Sequence, residues 1–173
     1  TDATEKPIRG ALVELTDSTG VVASGITSSL GYYSLKSPKN SNISIIVKAA
    51  LGANQHTKVV DNTADDALYA ISLNITTTDI DLSGNDFNAT TKLVNGNYSK
   101  RYGAPFAILD SVYRGQQKLL AAQSDLTFVP LEIAWSENNK PTTGPVDLTT
   151  GDIGTSFFDV ENQKLYILGA ENS

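Results

Sequence analysis

Apolar and polar residues alternate with period two through most of the first half of the chain. Ala11, Val13 and Leu15 fall on one side of an extended backbone and Leu12, Glu14 and Thr16 on the other, the pattern of a half-buried strand. Asp17-Ser18-Thr19-Gly20 reads as a turn in which Gly20 is free to take a positive φ. Val21 to Ile26 predicts a second strand, Ser28 to Gly31 a turn, Tyr32 to Lys36 a third strand and Ser37 to Asn40 a loop. Ile43, Ile45, Val47 and Ala49 then alternate with Ser44, Ile46 and Lys48. His56 to Val60 predicts a weaker strand, and Tyr69, Ile71, Leu73 and Ile75 alternate with Ala70, Ser72, Asn74 and Thr76. Six or seven short strands at this spacing predict a β-sandwich.

Near residue 78 the pattern changes. Thr76 to Asn97 is polar and turn-rich and reads as a linker or long loop. Pro105 suits a first helical turn, where its missing N–H is no loss. Phe106, Leu109, Val112, Tyr113, Leu119 and Leu120 recur at helical spacing as far as Gln123. The helix is expected to lay Phe106, Leu109, Val112 and Leu120 on a sheet holding Leu131, Ile133 and Trp135. Strands are expected over Thr127 to Trp135 and Lys164 to Leu168, joined by a stretch rich in Pro, Gly, Asn and Thr. The expected fold is therefore mostly β with one main helix, α+β in class. A β-sandwich occupies 1–78 and a small α+β domain 79–173, with the helix near 105–123.

Composition narrows the function. Of the 173 residues 40% are hydrophobic, enough for a packed core, and only 18% are charged. Abundant Thr, Ser and Asn with so little charge is a profile of secreted or surface β proteins. The net charge is -6, and no basic cluster exceeds the Lys100-Arg101 pair. Nucleic-acid binding is not expected, because nothing displaces counterions from phosphate. Membrane insertion is not expected either, because no apolar run reaches spanning length. The chain has no Cys and no Met and opens at Thr1, so a processed or truncated piece is expected. Disulfides, thiolate metal sites and a Cys nucleophile are excluded.

Lys6-Pro7-Ile8-Arg9-Gly10-Ala11 leading into an alternating strand, followed by Thr27 and Gly31-x-Tyr33-x-Leu35, resembles the carboxypeptidase regulatory-like domain, a transthyretin-like β-sandwich. The resemblance covers about residues 5–75 and implies that Tyr33 and Leu35 pack into the core. Domains of this kind are usually accessories to something else. The extra strand with which the family usually begins is missing here. An exposed sheet edge is therefore expected beside residues 11–16.

Phe128-Val129-Pro130-Leu131-Glu132-Ile133-Ala134-Trp135-Ser136-Glu137-Asn138-Asn139 resembles the strand beside the catalytic cleft in zincin-type metallopeptidases. Gly154-Thr155-Ser156-Phe157-Phe158 and Leu165-Tyr166-Ile167-Leu168-Gly169 resemble the segment that precedes the zinc helix in some exported peptidases that also carry a regulatory-like sandwich. In those enzymes a His-Glu-x-x-His helix follows, whose His residues bind zinc and whose Glu activates water. This chain has one histidine, His56, so zinc is expected only with a further segment.

Asp79, Asp81, Ser83 and Asn85 place oxygens at alternate positions, with Gly84 sixth, like the opening of a calcium loop. The twelfth place is Thr90 rather than a closing Glu, and a strand running into a turn gives the same pattern. Ser-His-Asp chemistry would have to use His56, and no Gly-x-Ser-x-Gly elbow exists. Glu132 and Glu137 sit five apart on a strand and face opposite ways. Asn42, Asn74, Asn88 and Asn97 each open an Asn-x-Ser/Thr sequon. Tyr32, Tyr33, Trp135 and Phe157-Phe158 could stack on sugar rings.

Two functions are expected on this basis. One is a non-catalytic, N-terminal portion of an exported, extracytoplasmic metallopeptidase-like protein, with the sandwich as spacer or docking module. The other is a stand-alone cell-surface module binding glycan or protein, with Trp135, Glu137 and Asn138 as ligand contacts.

Overall fold

A computed structural model describes residues 6–89, 91–94 and 97–169; for 91–94 and 97–99 it describes the backbone. Thr90, and the side chain of the sequon residue Asn97, lie outside the described residues. The chain begins with a hairpin of β1 (Ala11–Asp17) and β2 (Gly20–Ile26). Its turn forms because the Asp17 carboxylate accepts the Thr19 N–H at 2.7 Å and the Thr19 hydroxyl at 2.6 Å, while Gly20 takes φ 126°. The strand β3 (Asn42–Leu51) pairs antiparallel with the other side of β1. Next come β4 (Thr57–Asp61), β5 (Ala67–Leu68) and β6 (Ala70–Thr76). Between β4 and β5 the turn carries Asp65 and Asp66 at φ 55° and 54°, left-handed values that Asp tolerates better than most side chains.

The second half contributes a separate hairpin of β7 (Thr91–Val94) and β8 (Asn97–Arg101), the helix α1 (Ala104–Ala122), and the strands β9 (Leu131–Trp135), β10 (Phe157–Asp159) and β11 (Lys164–Ile167). Apart from the hairpin, all strands join one mixed sheet in the order β10-β11-β9-β4-β3-β1-β2, with β5 on β4 and β6 on β3. The pairs β4–β9 and β9–β11 are parallel. The sheet forks at Tyr69. β3 pairs with β6 as far as Lys48 and with β4 at Ala50 and Leu51. Between those stretches the Ala49 N–H donates to the Tyr69 carbonyl and the Tyr69 N–H to the Val59 carbonyl.

Period two places Ala11, Val13 and Leu15 of β1 beside Ile43, Ile45, Val47 and Ala49 of β3 on one buried face. Phe106 and Leu109 of α1 close that face, and Ile133 and Trp135 of β9 belong to the same cluster. One core therefore runs across the boundary expected at residue 78. The helix rests on β3 and β4; Val112 packs against the cluster, and Leu120 is only half-buried.

Several elements differ from the sequence reading. Tyr32 to Lys36 forms no strand, although Tyr33 and Leu35 pack on the core. Their cover comes from side chains, and a periodic pattern does not distinguish that from a ladder. Residues 127–130 precede β9 rather than belong to it, and Pro130 there has no N–H for a ladder. The expected linker contains β7 and ends where β8 begins, and the Phe157–Asp159 strand lies inside the stretch read as a connection. Strand β1 is interior, between β2 and β3, so the edge expected beside residues 11–16 belongs to β2.

Candidate functional site

The loop after β9 gathers the polar residues expected to bind a ligand. Trp135 is 4% exposed and is a core residue rather than an open platform. Its ring lies 5.7 Å from that of Tyr69 at 54°, and the Arg101 guanidinium stands 5.5 Å from it. The Tyr69 hydroxyl lies 3.0 Å from Asp61 Oδ2 and 3.1 Å from the Trp135 carbonyl. Burial, then the negative charge of Asp61, pushes the Tyr69 phenol far above its ordinary value. Glu137 and Asn138 are exposed. A carboxylate oxygen of Glu137 accepts the Arg101 N–H, and the Asn138 amide donates to Thr63 Oγ1 at 3.2 Å.

Beneath them Asn62 and Asn139 exchange side-chain amide hydrogen bonds, each 2.9 Å. The Asn62 amide also donates to the Leu148 carbonyl at 2.6 Å, and that of Asn139 to the Ile167 carbonyl at 2.9 Å. Both residues are buried. Gly169 donates its N–H to the Asn139 carbonyl at 2.8 Å, and a Cβ there would collide with the Ser136 carbonyl. The Ser136 hydroxyl is 2.9 Å from Thr63 Oγ1. This network ties β4, the β9 end, the 148–153 loop and the β11 end together. Through Thr63 the Ser136 hydroxyl is linked on to the Asp61 carboxylate, which accepts the Thr63 hydroxyl at 2.7 Å.

The four residues of the calcium pattern are not drawn into a cage. Asp79 accepts from Asn40 Nδ2 at 3.1 Å and lies 3.9 Å from Lys39 Nζ. Asp81 and Ser83 are exposed. The Asn85 carbonyl accepts the Tyr33 hydroxyl at 2.6 Å. Among the described residues no three His, Cys, Asp or Glu side chains come together as a metal-holding group. Zinc does not fit the residues present. His56 is the chain's one histidine, and its ring nitrogens face Asn54 Oδ1 at 3.1 Å and Gln116 Oε1 at 3.5 Å.

Three features escaped the sequence reading. An ionic row crosses three strands, with Lys58, Glu132 and Lys164 in register. Lys58 Nζ lies 2.6 Å from Glu132, and Lys164 Nζ lies 2.8 Å from Glu132 and 2.6 Å from Asp66. Burial opposes the charge on Glu132, but hydrogen bonds from Lys164 and Lys58 outweigh it and hold the carboxyl below its usual range. Lys164 is likewise opposed by burial and is held above its usual range by Asp66 and Glu132. Only the strand register could reveal this row, and sequence alone does not supply it.

The second feature is an apolar groove of about 530 Å³ between α1, the 128–131 segment and the β10–β11 hairpin. Val112, Leu119, Phe128, Val129, Phe158 and Val160 line it, and Leu119, Val129, Phe158 and Val160 are exposed. β10 beside it is an edge strand whose one ladder partner, among the described residues, is the antiparallel β11. The third feature is a polar trough of about 740 Å³ on the far end of the sheet, lined by the Asp17–Ser18 turn, Asn42, Ser44, Asn74 and Thr76.

No protein-family model, curated protein or solved structure matches this chain.

Proposed function

We propose that this chain is a non-catalytic accessory and N-terminal portion of an exported metallopeptidase-like protein. Residues 1–78 are read as a transthyretin-like sandwich acting as spacer or docking module, and 79–173 as the upper sheet of the catalytic fold. The observation that carries the reading is the apolar groove beside α1, next to the open edge of β10. Contiguous exposed apolar surface marks a place where something packs. A groove beside a helix suits an amphipathic helix, and a strand edge suits an extended polypeptide. A helix carrying His-Glu-x-x-His and an extended peptide substrate are what a peptidase would bring to these two places. The shared core supports a sandwich fixed rigidly to the rest rather than tethered. Zinc, in this reading, is held outside the residues of this chain.

The test is the natural gene beyond the codon for Ser173. A His-Glu-x-x-His helix encoded within the next few dozen codons, together with zinc-dependent proteolysis by the longer chain, is the expected outcome. A stop codon or an unrelated repeat there refutes it.

The polar trough favours a second reading, a surface module for neutral glycan. Amides and hydroxyls of Asn42, Ser44, Asn74 and Thr76 line it, and these groups match the donors and acceptors of sugar hydroxyls. Trp135, buried as it is, takes no part. Glycan titration followed by amide chemical shifts tests this, with shifts at β3 and β6 expected and their absence deciding against it.

A further inference from the structure

We propose that the outer edge of β6 is an interface between two copies of this chain, joined as antiparallel strands about a two-fold axis at Leu73. Among the described residues, β6 has one ladder partner, β3. An open edge offers a row of N–H and C=O groups to any other strand, and proteins blunt such edges with charge, proline, bulges or short length. The other edges offer a second copy fewer unbroken rungs. β2 carries a bulge, since Leu15 opposes Ala23 and Thr16 opposes Val21, which leaves Val22 unpaired. β10 spans three residues and β5 two.

β6 carries none of these devices. It runs seven residues, Ala70-Ile71-Ser72-Leu73-Asn74-Ile75-Thr76, without charge or proline, and its register on β3 is unbroken from Asn42↔Thr76 to Lys48↔Ala70. Its pattern is also self-complementary. Antiparallel pairing centred on Leu73 sets Leu73 opposite Leu73, Ile71 opposite Ile75 and Ser72 opposite Asn74 of the second copy. Apolar side chains then meet on the core face and polar ones on the other. Leu73 is 37% exposed, and that pairing covers it. With no charge on the strand, two copies meet there without local repulsion. Such a contact is isologous and closes as a dimer. The net charge of -6 on each copy opposes approach at long range and is screened by salt.

Sedimentation equilibrium over a concentration series, at low and at physiological salt, tests the proposal. The mass is expected to rise toward twice the 18.4 kDa of one chain, and to do so at lower concentration in salt. Leu73→Lys sets like charges against each other at the two-fold axis and is expected to hold the mass at one chain, whereas Val22→Lys on the opposite edge leaves the dimer intact. If Leu73→Lys does not fold by circular dichroism, Ser72→Lys with Asn74→Lys, at two exposed positions, makes the same test. The mass of one chain at every concentration overturns the proposal. So does a dimer that survives the β6 substitutions, or one that Val22→Lys abolishes.

Discussion

Arg9 Nη1 lies 2.8 Å and 2.9 Å from the two carboxylate oxygens of Asp110, joining the N-terminal segment to α1 across 101 residues of sequence. Arg9 Nε also donates to the Ser29 carbonyl at 2.9 Å. The side chains are 27% and 14% exposed, so the pair is partly screened. A double-mutant cycle of Arg9→Ala and Asp110→Ala in denaturant melts is expected to give a coupling of about 1 kcal/mol. Coupling indistinguishable from zero would show that the ion pair does not hold the helix.

Gly10 stands next to Arg9 at φ 65°, and a Cβ there would lie 2.7 Å from the ring of Tyr113. Gly10→Ala is expected to destabilise by more than about 1 kcal/mol, from left-handed backbone strain and displacement of that ring. An unchanged melting midpoint would contradict the close approach of chain and helix.

Ile133 is fully buried in the shared core. Ile133→Ala is expected to cost about 2–5 kcal/mol. Because β9 pairs with β4, the loss should appear in one cooperative transition. Two separate transitions, with only the second shifted, would mean that the halves fold independently.

Asn139 is fully buried, and its amide serves both Asn62 and the Ile167 carbonyl. Asn139→Ala removes the donor to Asn62 Oδ1 and to the Ile167 carbonyl and is expected to cost about 2–3 kcal/mol. Hydrogen exchange should quicken first at the β11 end. A neutral substitution would mean that water takes over these bonds.

The ionic row predicts stability lost at both ends of the pH scale. Glu132 is depressed in the folded protein, so its contribution is full above the ordinary value of 4.5 and fades as pH falls through the lower folded value. Lys164 is raised, so its contribution is full below 10.5 and fades as pH climbs through the higher folded value. Glu132→Gln should flatten the acid limb and cost about 1.5–3 kcal/mol at neutral pH. An acid limb identical to that of the parent chain would remove Glu132 from the account.

Strands β1, β2, β3 and β6, and the helix, were legible because alternation and helical spacing are local and leave their mark on consecutive residues. The turn at Asp17 to Gly20 was legible for the same reason. Ile133 could be read as core from its apolar neighbours. Trp135, whose place on an apolar strand points to the core although it could also be read as a ligand contact, is buried, and Glu137 and Asn138 lie exposed beside it.

The sequence by itself determined a mainly β chain with one helix, because side-chain periodicity sets which faces must be buried. Tertiary structure alone decided that β4 and β9 lie side by side. Parallel pairing of residues 74 apart in sequence, such as Thr57 and Leu131, depends on a crossover that α1 makes possible, and no local pattern encodes it. That pairing set Lys58 beside Glu132 and brought Asn62 to Asn139, the β9–β11 pairing added Lys164 to the row, and the pairing of β6 with β3 alone left β6 as an edge among the described residues. Each of these follows from strand register, which is set by the packing of the whole sheet.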